Sequence, residues 1–409
     1  MDIGLIVRPG DIRRERNGMS NRKRYSGVSA LLLAATLLTA CGGPADMATG
    51  QMASNTAGGT EAMSDGIVIH TSVRTTGQFP ESIVRPVPAG VDLSELDLSE
   101  ADFHMTGTTG MWGSDDTREF SCEFEKLEND GNTIVLYPKN FPEKYFYVQN
   151  FVVSCDKDDA LSFTDQDVEK VDTRVADDFQ TFTKENGAAF DYELYTPETE
   201  EKMPVVVVFH GYGDTENLRT YRTAVEWAEP ENQEIRPCYV IAPVIDDNTY
   251  YSARNTVFTP LKALLDQMVE EGKADPDRIY VMGNSFGGMS SIEFAELYPD
   301  AVAGILALCP ALNYSTTAMA QLEKIKEIPI WFAQAEHDNT ISIENSRKAV
   351  DQLEKLGAKE VKFTEYTDDE MNAAGADASP DSTYSYHHVE LAVMEDDAFM
   401  DWLYAQKKE

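Results

Sequence analysis

The sequence has few basic residues for its length. Its 409 residues include 34 Lys and Arg but 71 Asp and Glu, which gives a formal net charge of -37. A surface with this charge repels phosphate backbones and anionic membrane surfaces. We therefore exclude nucleic-acid binding as a main function and expect a neutral or cationic ligand.

The sequence also lacks the common metal-binding motifs. It contains neither a CxxC pair nor an HExxH segment, so we predict no zinc site and expect no metal or cofactor. One acidic run lacks the glycine of an EF-hand loop and is interpreted as a solvated face. Its members are Asp165, Asp167, Glu169 and Asp172.

Cysteine is scarce, with five residues in the chain. Cys122 and Cys155 lie in strand-like segments, and the sequence leaves open whether they form a disulfide, as an exported protein can. Cys238 and Cys309 lie in apolar, strand-like runs and are expected to be inert core thiols. The fifth cysteine, Cys41, belongs to the N-terminal segment.

The apolar run at residues 28–40 is too short for a permanent membrane span. It follows three basic residues at positions 22–24, which is the order found in a secretory signal. The run ends in the sequence LTACGG at residues 38–43, which resembles a bacterial lipobox.

These features predict an exported lipoprotein. We expect a signal peptide at residues 1–40 with Met19 as the true start, lipidation of Cys41, and a flexible tether at residues 41–65. The protein would be anchored at the outer face of a bacterial membrane, and only the lipid would contact the membrane. The alternative is an uncleaved anchor or a misassigned start codon.

The periodicity of the chain divides the remainder into two predicted domains. Residues 66–175 contain short, alternating segments separated by turn clusters and no long helical stripe, which predicts a small all-β, immunoglobulin-like sandwich. We interpret it as a supporting domain, with a carbohydrate- or partner-binding module as the alternative. The predicted strands are at residues 67–73, 120–124, 133–137 and 145–154.

Residues 176–409 alternate between strands and helices. A hairpin at residues 179–196 precedes six continuous apolar runs, which are typical of strands buried on both faces, and helical stretches lie between them. This pattern predicts an α/β domain with a mainly parallel sheet and helices on both faces. The runs are at residues 205–209, 238–242, 278–282, 304–308, 328–332 and 361–366.

The strongest catalytic motif follows the third of these runs. Residues 283–288 read GNSFGG, a G-x-S-x-G pattern between a predicted strand and a predicted helix. This is the setting of a nucleophile elbow, in which Gly283 and Gly287 permit a strained turn that exposes the hydroxyl of Ser285. The alternative is an ordinary glycine turn.

A serine nucleophile needs a base, and the base needs an orienting acid. In hydrolases with such an elbow these follow in the order Ser, acid, His, which leaves His387 and His388 as the candidate bases. Asp338, just after a predicted strand, is the preferred acid and Glu336 a weaker one. The alternative for either is a solvent-facing loop acid.

An oxyanion hole is predicted from two backbone N–H groups. One is that of Phe286, which follows the nucleophile. The other is expected from residues 210–213 (HGYG), after the first long strand, with Tyr212 as the donor. His210 and Gly211 would support the turn, and His210 would be structural rather than the base.

With these residues identified, residues 177–404 resemble the secreted α/β-hydrolases called carboxylesterases or prolyl-oligopeptidase-like hydrolases, with feruloyl-esterase-like and polyester-depolymerase-like enzymes as neighbours. Such enzymes often carry a preceding β-sandwich. The matching segments are YELYTP at 192–197, VFHGYG at 208–213, GNSFGG at 283–288, DNTI at 338–341, ENS at 344–346 and DWL at 401–403.

The chain departs from this family around the histidine. Members often have a Gly-His-x-x-Trp segment, whereas residues 386–390 read YHHVE, and residues 369–386 look inserted. Spacing from Asp401 resembles the family pattern better for His387, so we prefer it and keep His388 as the second choice. The insertion is either a lid or a surface excursion.

The predicted function is hydrolysis of a carboxylic ester, in a small molecule or linked to a saccharide, through an acyl-enzyme. The alternatives are a serine peptidase of the prolyl-oligopeptidase type and a non-catalytic surface-binding lipoprotein. The sequence leaves the ester and the oligomeric state open. One set of aromatic residues is interpreted as ordinary packing, with an aromatic-accepting pocket as the alternative: Tyr212, Tyr250, Tyr251 and Phe286.

Overall fold

A computed structural model describes most of the chain after the predicted tether. The described residues are 66–74, 77–110, 117–141, 150–199, 201–212, 222–246, 254–376 and 386–408. The predicted signal peptide, Cys41, the tether, Gly213, Tyr250 and Tyr251 lie outside them. Within the described ranges no helix combines the length and the apolar character needed to cross a membrane.

The first region forms two β-sheets. One has the strand order β5-β6-β2-β1-β9 and the other β4-β3-β7-β8. The strands are β1 (Ile67–Arg74), β2 (Gly77–Pro86), β3 (Phe103–Gly110), β4 (Thr117–Cys122), β5 (Phe124–Asn129), β6 (Thr133–Pro138), β7 (Phe151–Cys155), β8 (Phe163–Thr164) and β9 (Val168–Thr173).

Both sheets contribute side chains to one apolar core, as a sandwich requires. Alternate residues point inward along β7, so that Phe151, Val153 and Cys155 are buried while the residues between them are exposed. From the other sheet, Ile134 and Leu136 of β6 enter the same core. The predicted all-β sandwich is confirmed.

The strand order contradicts a disulfide between Cys122 and Cys155. β3 lies between their strands, with Met105 opposite Cys122 and Phe103 opposite Cys155. Two interstrand spacings, about 9–10 Å, therefore separate the two strands, and the cysteines are further offset along them because their partners are two residues apart in β3. A disulfide needs Cα atoms within about 7 Å. Both thiols are free and buried.

In the second region, the described residues form an eight-stranded sheet with the order β10-β11-β13-β12-β14-β15-β16-β17. Pairing is antiparallel for the hairpin of β10 and β11 and between β11 and β13, and parallel elsewhere. The strands are β10 (Gln180–Phe182), β11 (Tyr192–Tyr195), β12 (Met203–Phe209), β13 (Tyr239–Pro243), β14 (Ala274–Asn284), β15 (Gly304–Leu308), β16 (Ile330–Ala335) and β17 (Val361–Tyr366).

Helices cover both faces of this sheet. Val205 and Val207 of β12 pack in one apolar cluster, and Val206 and Val208 pack in another, so the strand is buried on both sides. The described helices are α1 (Arg222–Ala228), α2 (Pro230–Ile235), α3 (Thr259–Glu270), α4 (Phe286–Leu297), α5 (Ala318–Gln321), α6 (Glu344–Lys355), α7 (Asp368–Ala373), α8 (Glu390–Val393) and α9 (Asp397–Tyr404). The predicted α/β architecture is confirmed.

The topology creates a crevice beside β12. The chain passes from β12 to β13 on one side, while β14 lies on the other side of β12. The segments that leave the carboxyl ends of β12 and β14 therefore diverge, and ligands of open α/β sheets bind where such segments diverge. The HGY segment follows β12 and Ser285 follows β14, so both predicted site segments lie at this crevice.

Candidate active site

Ser285 occupies a strained backbone position between β14 and α4. Its φ of 55° and ψ of -118° are unfavourable for a residue with a side chain. Three backbone hydrogen bonds hold it there: its N–H donates to Leu308 (2.9 Å), and its carbonyl accepts from Met289 (3.1 Å) and Ala311 (2.9 Å). The serine is thus fixed by β15, by its own helix and by the loop after β15.

The two glycines of the elbow allow the end of β12 to approach closely. A Cβ added at Gly287 would lie 2.0 Å from the carbonyl oxygen of Phe209, and one added at Gly283 would lie 2.3 Å from the same atom. Both distances are far shorter than a van der Waals contact. The sequence therefore needs glycine at these positions to bring the crevice-lining segments together.

A chain of hydrogen bonds links Ser285 to His387 and Asp338. The Nε2 atom of His387 lies 3.0 Å from the hydroxyl oxygen of Ser285. Its Nδ1 atom lies 3.0 Å and 2.9 Å from the two carboxylate oxygens of Asp338. The side chain of Asp338 is fully buried and that of His387 is 7% exposed.

The loop after β16 satisfies the buried carboxylate of Asp338. The N–H groups of Thr340 and Ile341 each donate to Oδ1 at 2.9 Å, and Nε2 of Gln334 donates to Oδ2 at 2.9 Å. The hydroxyl of Ser346 in turn donates to Oε1 of Gln334 at 2.6 Å. A buried charge is tolerated only with such partners, and these donors also fix the position of the acid.

His388 forms a different contact. Its Nδ1 atom lies 2.7 Å from Oε1 of Glu390, and both side chains are buried. Its ring centroid lies 6.1 Å from that of His387. Of the two candidate bases, the structure brings His387 to Ser285, and it places His388 in a neighbouring buried pair.

Cys309 lies beneath the histidine loop. Its thiol donates to the backbone carbonyl of His387 at 3.2 Å. Burial raises the pKa of this thiol well above its ordinary value, and the charges of Asp338 and Glu390 raise it further. Ligating atoms of Cys309, Asp338 and His387 lie within 4.8 Å of one another. A metal would need the thiolate, so this set fits a hydrogen-bond network better than a metal site.

The turn after β12 is organised by His210. Its Nε2 atom accepts a hydrogen bond from the N–H of Ile245 at 2.8 Å, so Nδ1 carries the proton and donates to the carbonyl of Gly211 at 2.6 Å. Both ring nitrogens therefore bind backbone groups. The next residue, Tyr212, has its ring 5.2 Å from that of Phe286, the first residue of α4.

The other candidate acid and histidines lie elsewhere. Glu336 and His337 are exposed, and Nδ1 of His337 is 2.8 Å from Asp368, whose hydrogen bond raises the pKa of that histidine. In the sandwich, His70 pairs with Asp172 and His104 with Asp156.

Sequence reasoning missed three residues near this site. Gln334 and Ser346 support Asp338, and the ring of Tyr314 contacts Phe286. Gln334 had a local signal, since it is a polar residue near the end of the otherwise apolar strand β16. Ser346 lies in the ENS segment that resembles the family, but the resemblance assigned it no role. Tyr314 lies in a segment that gives no indication of its three-dimensional neighbours.

Comparisons with known proteins agree with this architecture. A family model described as phospholipase/carboxylesterase matches residues 245–375, which include Ser285 and Asp338 but not Tyr212 or His387. No curated protein matches the chain by sequence.

Among solved structures, a thermostable esterase is similar, with 25% sequence identity and a TM-score of 0.64, over 84% of this chain and 100% of that chain. This match is longer than the α/β region, so it includes part of the sandwich. Est1E from Butyrivibrio proteoclasticus has 17% identity and a TM-score of 0.40, over 56% of this chain and 99% of that one. An acylaminoacyl peptidase from Pyrococcus horikoshii has 14% identity and a TM-score of 0.35, over 52% and 38%.

Substituting Gly287 tests the close approach at the elbow. Gly287→Ala should lower the free energy of unfolding by about 1–3 kcal/mol, because its Cβ would overlap the Phe209 carbonyl and force the backbone to shift. The control is Gly304→Ala at the start of β15, where the atoms nearest to an added Cβ belong to the side chains of Leu403 and Gln406, at 3.1 Å or more. Denaturant unfolding measures both, and equal effects would contradict the steric account.

Proposed function

We propose that this α/β-hydrolase is a serine carboxylesterase that cleaves carboxylic esters through an acyl-enzyme. The observation that carries the proposal is the continuous hydrogen-bond chain from Asp338 through His387 to Ser285, all three buried. These are the roles of acid, base and nucleophile that acyl transfer requires. The proposed substrate is a small-molecule or saccharide-linked ester.

In the proposed reaction, Nε2 of His387 takes the proton of Ser285 as the hydroxyl oxygen attacks the ester carbonyl. The protonated imidazole then gives this proton to the leaving alcohol, and an acyl-enzyme remains. Water, activated by the same histidine, then attacks the acyl-enzyme, and the carboxylic acid product is released. Asp338 holds the proton on Nδ1 throughout, so that Nε2 is available as an acceptor when the serine reacts.

Backbone donors are proposed to stabilise the tetrahedral intermediate. The first N–H groups of a helix point out of its end, and Phe286 is the first residue of α4. The N–H of Tyr212 is proposed as the second donor, from the turn that His210 organises. Donors that are already in place cost no reorganisation when the negative charge develops.

An ester is preferred over a peptide because of the similarity to the thermostable esterase. That structure is described as an esterase, and its match extends over its whole chain with a TM-score of 0.64. A Ser-His-Asp triad can hydrolyse esters and peptides alike, so the preference for an ester rests on the similarity to the thermostable esterase.

Replacing the nucleophile tests the proposal. Ser285→Ala should reduce kcat for a short nitrophenyl ester by at least about a thousandfold, and it should abolish labelling by a fluorophosphonate probe. Ser290→Ala, a buried serine of the same helix, is the control and should retain both. If the fluorophosphonate probe labels none of the three proteins (Ser285→Ala, Ser290→Ala and the unsubstituted protein), the chain is a non-catalytic scaffold.

The two histidines can be separated by matched substitutions. His387→Gln should lower kcat by at least about a thousandfold, because glutamine can bond Asp338 but cannot accept and return the proton. His388→Gln keeps a polar partner for Glu390 and should leave kcat within about tenfold. Steady-state kinetics and a thermal melt on each protein are the measurements. A larger loss of kcat for His388→Gln would reverse the assignment.

We further propose that the enzyme is exported and anchored through a lipid on Cys41. The support is the sequence at residues 22–43, a basic stretch, an apolar run and a lipobox-like end. In a bacterial host, Cys41→Ala should move the protein from the membrane fraction to the soluble fraction, whereas Cys122→Ala should not. Mass spectrometry of the mature N-terminus would contradict the proposal by finding an unmodified Cys41.

A further inference from the structure

Two exposed aromatic side chains flank the residue next to the nucleophile. Among the described residues, four large hydrophobic side chains are exposed, and Tyr212 (49%) and Tyr314 (46%) are two of them. Each ring has its centroid 5.2 Å from that of the buried Phe286. Single exposed apolar residues are common on protein surfaces, but here two converge on one buried ring.

The three rings come from separate segments of the fold. Tyr212 follows β12, Phe286 begins α4 after β14, and Tyr314 ends a 3₁₀ turn (Leu312–Tyr314) after β15. This turn is tied to the nucleophile, because Ala311 donates to the Ser285 carbonyl at 2.9 Å and Tyr314 donates to Ala311 at 3.0 Å. The rings therefore form an aromatic strip fixed to the backbone of Ser285.

The exposed rings of Tyr212 and Tyr314 are not members of the apolar cluster that contains Phe286. Tyr314 forms no hydrogen bond through its hydroxyl with any residue that the structure describes, and nearly half of its surface is open to solvent. Phe286 is already buried in the apolar cluster of the sheet. The solvent-exposed surface of Tyr314 can thus contact a ligand whose reacting group lies at Ser285, and Tyr212, which also lies against Phe286, is exposed to a similar extent.

We propose that this strip binds an aromatic ring of the substrate, so that the enzyme prefers esters with an aryl group near the scissile bond. This inference rests on the proposed esterase function and favours the aromatic-accepting role over ordinary packing. The rings are tilted by 47° and 39° to Phe286, and a planar ring can make offset or edge contacts with tilted neighbours. A flexible alkyl chain must lose conformational freedom to make similar contact.

Matched esters separate aromatic recognition from general hydrophobicity. We expect kcat/KM to be about fivefold to tenfold higher for methyl 3-phenylpropanoate than for methyl 3-cyclohexylpropanoate, if the ring lies on the acyl side. The same preference between 2-phenylethyl acetate and 2-cyclohexylethyl acetate would place it on the alcohol side. Either result supports the inference, and no preference in both pairs overturns it.

Substitutions of Tyr314 connect the preference to the strip. Tyr314→Leu should reduce the phenyl-to-cyclohexyl ratio of kcat/KM to within about twofold of unity. Because both esters are assayed on the same protein, a general loss of folded enzyme cancels in this ratio. Tyr314→Phe keeps the ring and should keep the ratio. An unchanged ratio in Tyr314→Leu overturns the inference even if the enzyme prefers aryl esters.

The aryl preference and the esterase function can fail separately in these assays. If the full-length chain hydrolyses these esters without a ring preference, the aromatic strip is not a binding surface and the esterase function stands. If it hydrolyses none of them and Ser285 is not labelled by a fluorophosphonate, both proposals are wrong.

Discussion

The strained backbone of Ser285 is the constraint on which the candidate site depends. A positive φ at a residue with a side chain costs on the order of 1–3 kcal/mol, and it persists only where neighbouring structure enforces it. Here the enforcement comes from the hydrogen bonds to Leu308 and Ala311 and from the contact of Phe209 with Gly283 and Gly287. Because these partners belong to the central strands or the loop after β15, the backbone position of Ser285 is set by the centre of the sheet.

The same pattern of strain recurs around the histidine. Of the five non-glycine residues with positive φ among the described residues, Ser285, Cys309 and Tyr386 all lie at this site. Tyr386 directly precedes His387, and the thiol of Cys309 donates a hydrogen bond to the backbone carbonyl of His387. Strain that clusters in this way is typical of functional sites, where geometry has been held at the expense of stability.

Buried polar groups make this arrangement possible within an apolar sheet. Gln334, Ser346 and the loop amides satisfy the carboxylate of Asp338, and His388 pairs with Glu390 beside it. A buried network of this kind is costly unless its members are paired, and once paired it fixes one geometry. The outer edge of the site is different, since Tyr212 and Tyr314 leave aromatic surface open to solvent.

The amino-acid sequence alone determined the features that depend on residues close together along the chain. Strand and helix periodicity predicted the sandwich and the α/β sheet, and the elbow at Ser285 and the strand end before Asp338 were visible as local patterns. Between the adjacent His387 and His388, the sequence supported only a preference for His387 from the spacing to Asp401. The direction of each ring depends on a loop packed against Cys309 and α8, so the contact of His387 with Ser285 was decided by tertiary structure. The separation of Cys122 from Cys155, the support of Asp338 by Ser346, and the contact of Tyr314 with Phe286 were decided by tertiary structure. These depend on strand order and on loops that meet only when the sheet assembles, and no local pattern encodes such long-range neighbours.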